Sequence, residues 1–172
     1  PLVQAQEWPG RGPIKLVVPF PPGGSNDQIA RLLAPVLQQQ LGQSVVVENR
    51  AGASGVIGTG AVAQSAPDGY TWVIVFDTHG VNPALMPGLN FDTQKDLAPV
   101  LIIGTSAMLL ATSVNSEYKT MADVVAAVRA RKPVSFGTIG SGSLGHLAMT
   151  LVGRSANLEW THVPYKGGGP LL

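Results

Sequence analysis

The sequence predicts an α/β fold in two lobes, each built on parallel strands with helices packed against them. Three observations predict it. Short β-branched runs alternate with runs of helical period, the pattern that right-handed parallel crossovers produce. Loops rich in proline and glycine stand between these runs rather than inside them. The second half of the chain then repeats the device of the first: a strand, a small-residue loop and a helix start.

The elements of the first lobe follow in order. Lys15–Val18 is apolar and β-branched enough for a buried strand, and the prolines and glycines of LVVPFPPGGSND (Leu16–Asp27) stop it abruptly. Asn26 and Asp27 are helix N-cap types, with Asp27 expected as the cap, and Ile29, Leu32, Leu33, Val36 and Leu37 follow at helical spacing. Ser44–Glu48 reads as a second strand, then the loop NRAGASG and a small-residue helix from about Val56 to Ser65. The turn APDG leads to a third strand, Tyr70–Phe76. Ligand crevices of parallel sheets lie outside the strands' carboxyl ends. Three loops stand there: Pro19–Asp27, Asn49–Gly55 and Asp77–Asn82.

The chain changes character near Phe91, where FDTQKDLAPV reads as a connection into the second lobe. Residues 13–98 are expected to form the first domain and 99–172 the second. Strands are expected at Val100–Gly104 and Met108–Thr112, and a helix at Met121–Arg131 whose start, Thr120 with Asp123, resembles a capping box. A strand at Val134–Gly137, a helix from about Leu144 to Arg154 and a strand at Glu159–Pro164 complete the reading.

Composition excludes several classes of function. The chain of 172 residues is 45% hydrophobic and 12% charged, which argues against disorder. A net charge of +1 leaves no electrostatic footprint for nucleic acid. No apolar run approaches the ~18 residues that span a bilayer. Without cysteine there are no disulfides or thiolate metal sites, which suits an exported bacterial protein. Residues 1–12 read as a tail. Within it PLVQAQ (Pro1–Gln6) has the small-residue pattern of a signal-peptidase site, or is a plain N-terminal extension. No G-x-S-x-G elbow or paired acid/base carboxylates point to catalysis, and GASGVIG lacks dinucleotide-fingerprint spacing. His79, His146 and His162 are spread without metal-ligand spacing.

Seven motifs, in order, carry a family resemblance: VVPFPPGGSND, VVVENRAGASG, APDGYT, FDTHGVNPAL, FDTQKDLAPV, GTIGSGSLGH and HVPYKGGGP. From about Pro13 onward the chain resembles the substrate-binding receptors of tripartite tricarboxylate transporters, the Bug-type periplasmic proteins. The resemblance implies a type II periplasmic-binding-protein fold, in which two α/β lobes close over a small carboxylate, and it implies no catalysis. Family members continue past HVPYKGGGP, so it also implies that this chain carries an incomplete second lobe and an incomplete cleft.

Candidate ligand contacts follow. The loop after the first strand is an anion cradle made from backbone, with Phe20 at its base; the family's use of this loop carries over to Pro21, Pro22, Gly23, Gly24 and Ser25. In the third loop Thr78 offers a hydroxyl and His79 a proton-dependent donor. Asp77 is awkward beside an anion and suits a ligand with an amine, amide or hydroxyl, or a carboxylate held at the far lobe. Thr138, Gly140, Ser141, Gly142 and Ser143 form the answering cradle, while His146 reads as structural. Tyr165 and Lys166 belong to the VPYKG loop, where Lys166 is either a cleft cation or a solvated lysine. The expected function is a periplasmic receptor that hands a small organic acid to membrane permease subunits. It is expected to act as a monomer without cofactor or metal, closing on a hinge near Asp92–Val100. An α/β enzyme acting on a carboxylate and a ligand sensor for a signalling partner are the alternatives.

Overall fold

The computed structural model describes residues 8–172, so the Pro1–Gln6 pattern lies outside the described residues. Three strands, β1 (Ile14–Val18), β2 (Val45–Asn49) and β3 (Thr71–Val73), form a parallel sheet in the order β2-β1-β3. β1 is central, with Leu16 opposite Val47 on one side and Trp72 on the other. That position explains its apolar run: of its five residues only Lys15 is exposed. Leu16, Val18, Phe20, Ala30 and Ile74 make the core, joined by Ile29, Leu33 and Trp72.

Helix α1 (Ser25–Leu41) buries Ala30 and Ala34 against this sheet. It ends at Gly42, whose left-handed φ of +64° lets its N–H reach Gln38 O at 3.0 Å. After β2, a 3-10 turn (Ala53–Gly55) runs into α2 (Val56–Ala63). α2 lies flush on the end of β1, because a Cβ on Gly58 would stand 2.6 Å from Arg50 O and 2.8 Å from Pro19 Cβ. Helix α3 (Asp77–Leu85) follows β3 after Ile74, Val75 and Phe76.

The rest of the chain contains α4 (Met121–Arg129), β4 (Ser135–Thr138), α5 (Leu144–Ala156), β5 (Thr161–Pro164) and the single turn α6 (Gly168–Leu171). β4 and β5 pair in parallel, Phe136 opposite His162. The expected capping box is present, since Thr120 accepts the Asp123 N–H and Asp123 accepts the Thr120 N–H at 2.7 Å.

The structure corrects the sequence reading in four places. Asp77–Asn82 is not a loop but the start of α3. Gly80, Asn82 and Pro83 are poor helix formers, yet Thr78 and Asn82, one turn apart, are buried and tertiary packing overrides propensity. Val100–Gly104 and Met108–Thr112 form no strands, and Leu101, Ile102, Leu109 and Leu110 are exposed. Strand propensity is realised only against a partner, and β4 and β5 pair with each other alone. The third strand is shorter than expected, Thr71–Val73, matching the length of its pairing with β1. Finally, Asp27 is not an N-cap. Gly24 holds the extended cap conformation, and Asp27 is the third helical residue.

Asp27 is the best-connected buried charge of the first lobe. Its carboxylate accepts the Gly23 N–H at 2.9 Å, Asn49 Nδ2 at 2.9 Å and Arg31 Nε at 3.0 Å. The Arg31 guanidinium leads in lowering its pKa to about 2, with the Gly23 and Asn49 donors adding to it against the opposing effect of burial. A depressed carboxyl stabilises the fold above the unfolded value near 4 and loses that contribution as pH falls toward 2. Asp27→Ala is expected to lower stability at pH 7 by about 1–3 kcal/mol, having orphaned buried donors. Urea unfolding at pH 7 and at pH 3 is expected to show a smaller difference between variant and wild type at the lower pH. An equal difference at both would contradict the assignment.

Candidate functional site

The site begins where β1 ends. Pro19 and Phe20 are buried, and the Phe20 ring tilts against Phe76 with centroids 6.0 Å apart. The chain then turns at Gly23 (φ +89°), a conformation that glycine adopts without strain. Asn49 Nδ2 donates to Phe20 O at 3.1 Å and Gln28 Nε2 to Gly23 O at 3.1 Å, so side chains from β2 and α1 pin the loop.

Gly24 caps α1 without a side chain, and the first bond inside the helix is Gln28 N–H to Gly24 O at 3.0 Å. The N–H groups of Ser25, Asn26 and Asp27 therefore have no partner within the helix and no side-chain cap. The other two strand ends repeat this. The 3-10 turn after β2, the helix α2 and the helix α3 start from Gly52, Gly55 and Phe76, none with a side-chain cap, although the Val56 N–H is taken by Ala53 O, the Ile57 N–H by Gly52 O and the His79 N–H by Phe76 O. One edge of the sheet thus gathers uncapped N–H groups and the positive ends of helix dipoles.

Ser54, which sequence reasoning did not select, ties this edge together. With Ala53 it holds a left-handed φ (+51° and +47°), a strained conformation for residues with a Cβ. Its carbonyl accepts Asn82 Nδ2 at 3.1 Å, and its hydroxyl donates to Ser141 O at 2.9 Å. Asn82 was missed as well. It is buried, and its Oδ1 has no partner, as is also true of Asn26 Oδ1 in the first turn of α1. The only sequence signal for Ser54 was its loop's place at a strand end.

The loop after β4 faces these residues. Ser143 is buried and acts as the N-cap of α5, its hydroxyl donating to Gly140 O at 2.8 Å and accepting the His146 N–H. Thr138 Oγ1 bonds Gly140 O at 3.1 Å and meets His162 Nε2 at 2.7 Å. Gly142 donates its N–H to His146 Nδ1 at 3.1 Å, and the His146 and His162 rings stack with centroids 4.0 Å apart. Though far apart in sequence, His146 and His162 are thus brought face to face by α5 and β5. Among the described residues no group of three or more His, Asp or Glu could hold a metal ion.

Direct contacts join the two sets of loops. A Cβ on Gly24 would stand 3.5 Å from the N atoms of Gly168 and Gly169, and one on Gly169 only 2.8 Å from Pro22 O. Leu85 Cδ1 would press a Cβ on Gly142 at 2.7 Å. The Leu144 N–H donates to Asp77 Oδ2. Of the sequence-selected residues, Pro21–Ser25, Asp77 and Thr138–Ser143 line this meeting edge. Thr78 lies buried beneath it and His79 is half-buried. Tyr165 and Lys166 are exposed, with the Tyr165 N–H held by Thr138 O at 2.9 Å. A surface cavity of about 220 Å³, lined by Arg11, Gly12, Pro13, Asp68 and Tyr70, is at the opposite, amino end of β3.

Residues 29–172 match the tripartite tricarboxylate transporter family receptor. The chain is 42% identical to protein BugT of Bordetella pertussis over 173 aligned residues, covering 99% of this chain and 53% of that protein. A structure of a Rhodopseudomonas palustris protein with adipate superposes with a TM-score of 0.88 at 36% identity, covering 96% of this chain and 56% of that one. MatC from Rhodopseudomonas palustris with bound malate superposes at 0.83 and 31% identity, over 93% of this chain and 55% of that one. The fold is thus that of periplasmic binding proteins, and the chain spans about half the length of the relatives it matches. Among the described residues no helix is long and apolar enough to cross a membrane.

Burial, with a contribution from neighbouring His146, holds the His162 imidazole below its usual range. A base depressed in the folded state leaves stability intact above the unfolded value near 6.5 and erodes it as pH falls through the folded value. Denaturant unfolding between pH 7.5 and pH 5 is expected to lose stability in wild type and to lose less in His162→Gln. A ring titration of His162 by NMR that gives an ordinary or raised value would contradict this.

Proposed function

The chain belongs to the tripartite tricarboxylate transporter receptor family, and from that premise we propose that it is part of a periplasmic receptor for a small carboxylate. The observation that carries the proposal is the pair of uncapped helix starts along one sheet edge, at Ser25 and Asp77. Preorganised backbone donors bind an anion at little entropic cost, and each dipole end adds about 0.3–1 kcal/mol. Relatives solved with adipate and with bound malate support a dicarboxylate among the ligands.

In this reading Pro21–Ser25 cradle one carboxylate through backbone N–H groups, with Phe20 as the rigid base. The residues facing them, Thr138–Ser143, are tied down by Ser143, Thr138 and His146, so their contribution is shape and the Ser141 hydroxyl. Thr78 and His79 support α3 from below. Tyr165 and Lys166 stand at the rim, Lys166 attracting anions at long range. Delivery to membrane permease subunits, secretion through a cleaved signal peptide and a monomeric receptor complete the proposal. Neither catalysis nor a cofactor enters it, in keeping with a family of receptors.

Thermal melting of the full-length gene product with adipate, malate and uncharged sugars tests the reading. The acids are expected to raise Tm, by about 2.7 kcal/mol of stabilisation at a hundredfold excess over Kd. Sugars that stabilise while both acids fail would refute it. Gly24→Ala, whose Cβ stands at an ordinary 3.5 Å from the N atoms of Gly168 and Gly169, is expected to reduce the acid-induced shift by crowding the open N–H groups, with the ligand-free Tm measured alongside.

A further inference from the structure

The two facing helix starts are not equivalent. At α1 the N–H groups of Ser25, Asn26 and Asp27 lack partners within the helix and a side-chain cap. At α5 the Leu144, His146 and Leu147 N–H groups are already engaged. The Leu144 N–H donates to Asp77 Oδ2, the His146 N–H to the Ser143 hydroxyl, and the Leu147 N–H to Ser143 O at 3.0 Å. Before α5, the Ser143 N–H is taken by Gly140 O at 3.2 Å and the Gly142 N–H by His146 Nδ1. The first-turn position that an external carboxylate would use is held by the protein's own carboxylate, from the opposite lobe.

Asp77 is placed for this by α3. It is the first residue of that helix, half-buried, and two residues of the same helix anchor it. Thr78 is 2% exposed, and Asn82 donates to Ser54 O while its Oδ1 is left without a donor. Ser54 in turn donates across to Ser141 O, beside the residues that Asp77 reaches. The backbone of Asp77 is therefore held by a joined set of contacts, and its carboxylate leaves Leu144 by rotation of its own side chain. A like charge brought close to it meets repulsion in a partly desolvated site.

We infer that Asp77 is a specificity-determining residue: it fills the anion position at α5, so a ligand carboxylate is received at α1 and a second carboxylate must displace Asp77. The inference rests on the carboxylate-receptor reading above. It predicts that the wild-type cleft discriminates less strongly in favour of dicarboxylates than its two helix starts alone would allow.

Calorimetric titration of the full-length gene product with adipate and with hexanoate, which has one carboxylate on the same six-carbon chain, tests this. In Asp77→Asn the preference for adipate over hexanoate is expected to rise by about 2- to 30-fold, the range that one dipole-assisted charge interaction spans, with adipate gaining more than hexanoate. Asp77→Ser, too short to reach Leu144 but favourable at a helix start, is expected to behave alike. Leu144 amide exchange is expected to quicken in both ligand-free variants. If adipate and hexanoate change in parallel, or adipate weakens, Asp77 is only structural and the inference fails while the receptor reading stands. If neither acid binds wild type or variants, the receptor reading fails and takes the inference with it.

Discussion

The first lobe depends on one buried carboxylate. Asp27 has 4% of its surface exposed and joins three elements: the Gly23 N–H of the loop, Asn49 at the end of β2 and Arg31 one turn along α1. A charge taken out of water is tolerable only when such donors surround it. Because they do, the Pro-Pro-Gly-Gly loop is fastened to both β2 and α1 beside the uncapped start of that helix. Asp27 turns back toward Gly23 and leaves the N–H groups ahead of it unclaimed. A serine, threonine or aspartate at position 24 would have capped the helix and closed the cradle.

The opposing residues solve the same problem the other way. Ser143 caps α5, Thr138 and His146 fasten the loop before it, and Asp77 supplies a negative charge from across the edge. Both ends use glycine for close approach. At Gly24 and Gly169 the backbones touch, and at Gly142 a left-handed φ of +80° places the chain against Leu85. Two edges that meet through backbone leave few side chains free to face the space between them. That places unusual weight on the single carboxylate at the edge.

Much of the architecture was legible because it follows from local rules. The apolar run of β1, the alternation with α1 and β2 and the capping box at Thr120 and Asp123 all appear as read. Each depends on residues close in sequence. The elements that were misread depend on distant ones. Asp77–Leu85 is helical although Gly80 and Pro83 argue otherwise, since Thr78 and Asn82 are buried on one face. The apolar stretches around Ile102 and Leu109 have strand composition but no ladder to join.

The sequence by itself determined the fold class, the position of the loops at the carboxyl ends of the strands and the family, because periodicity, turn chemistry and motif order are written along the chain. Only the tertiary structure decided how those loops meet. Ser54 on Ser141, Asp77 on Leu144 and His146 on His162 are pairs separated by 16 to 87 positions. Their partners are chosen by the packing of helices on sheets, and no local pattern encodes which donor a carboxylate will find once the lobes are folded.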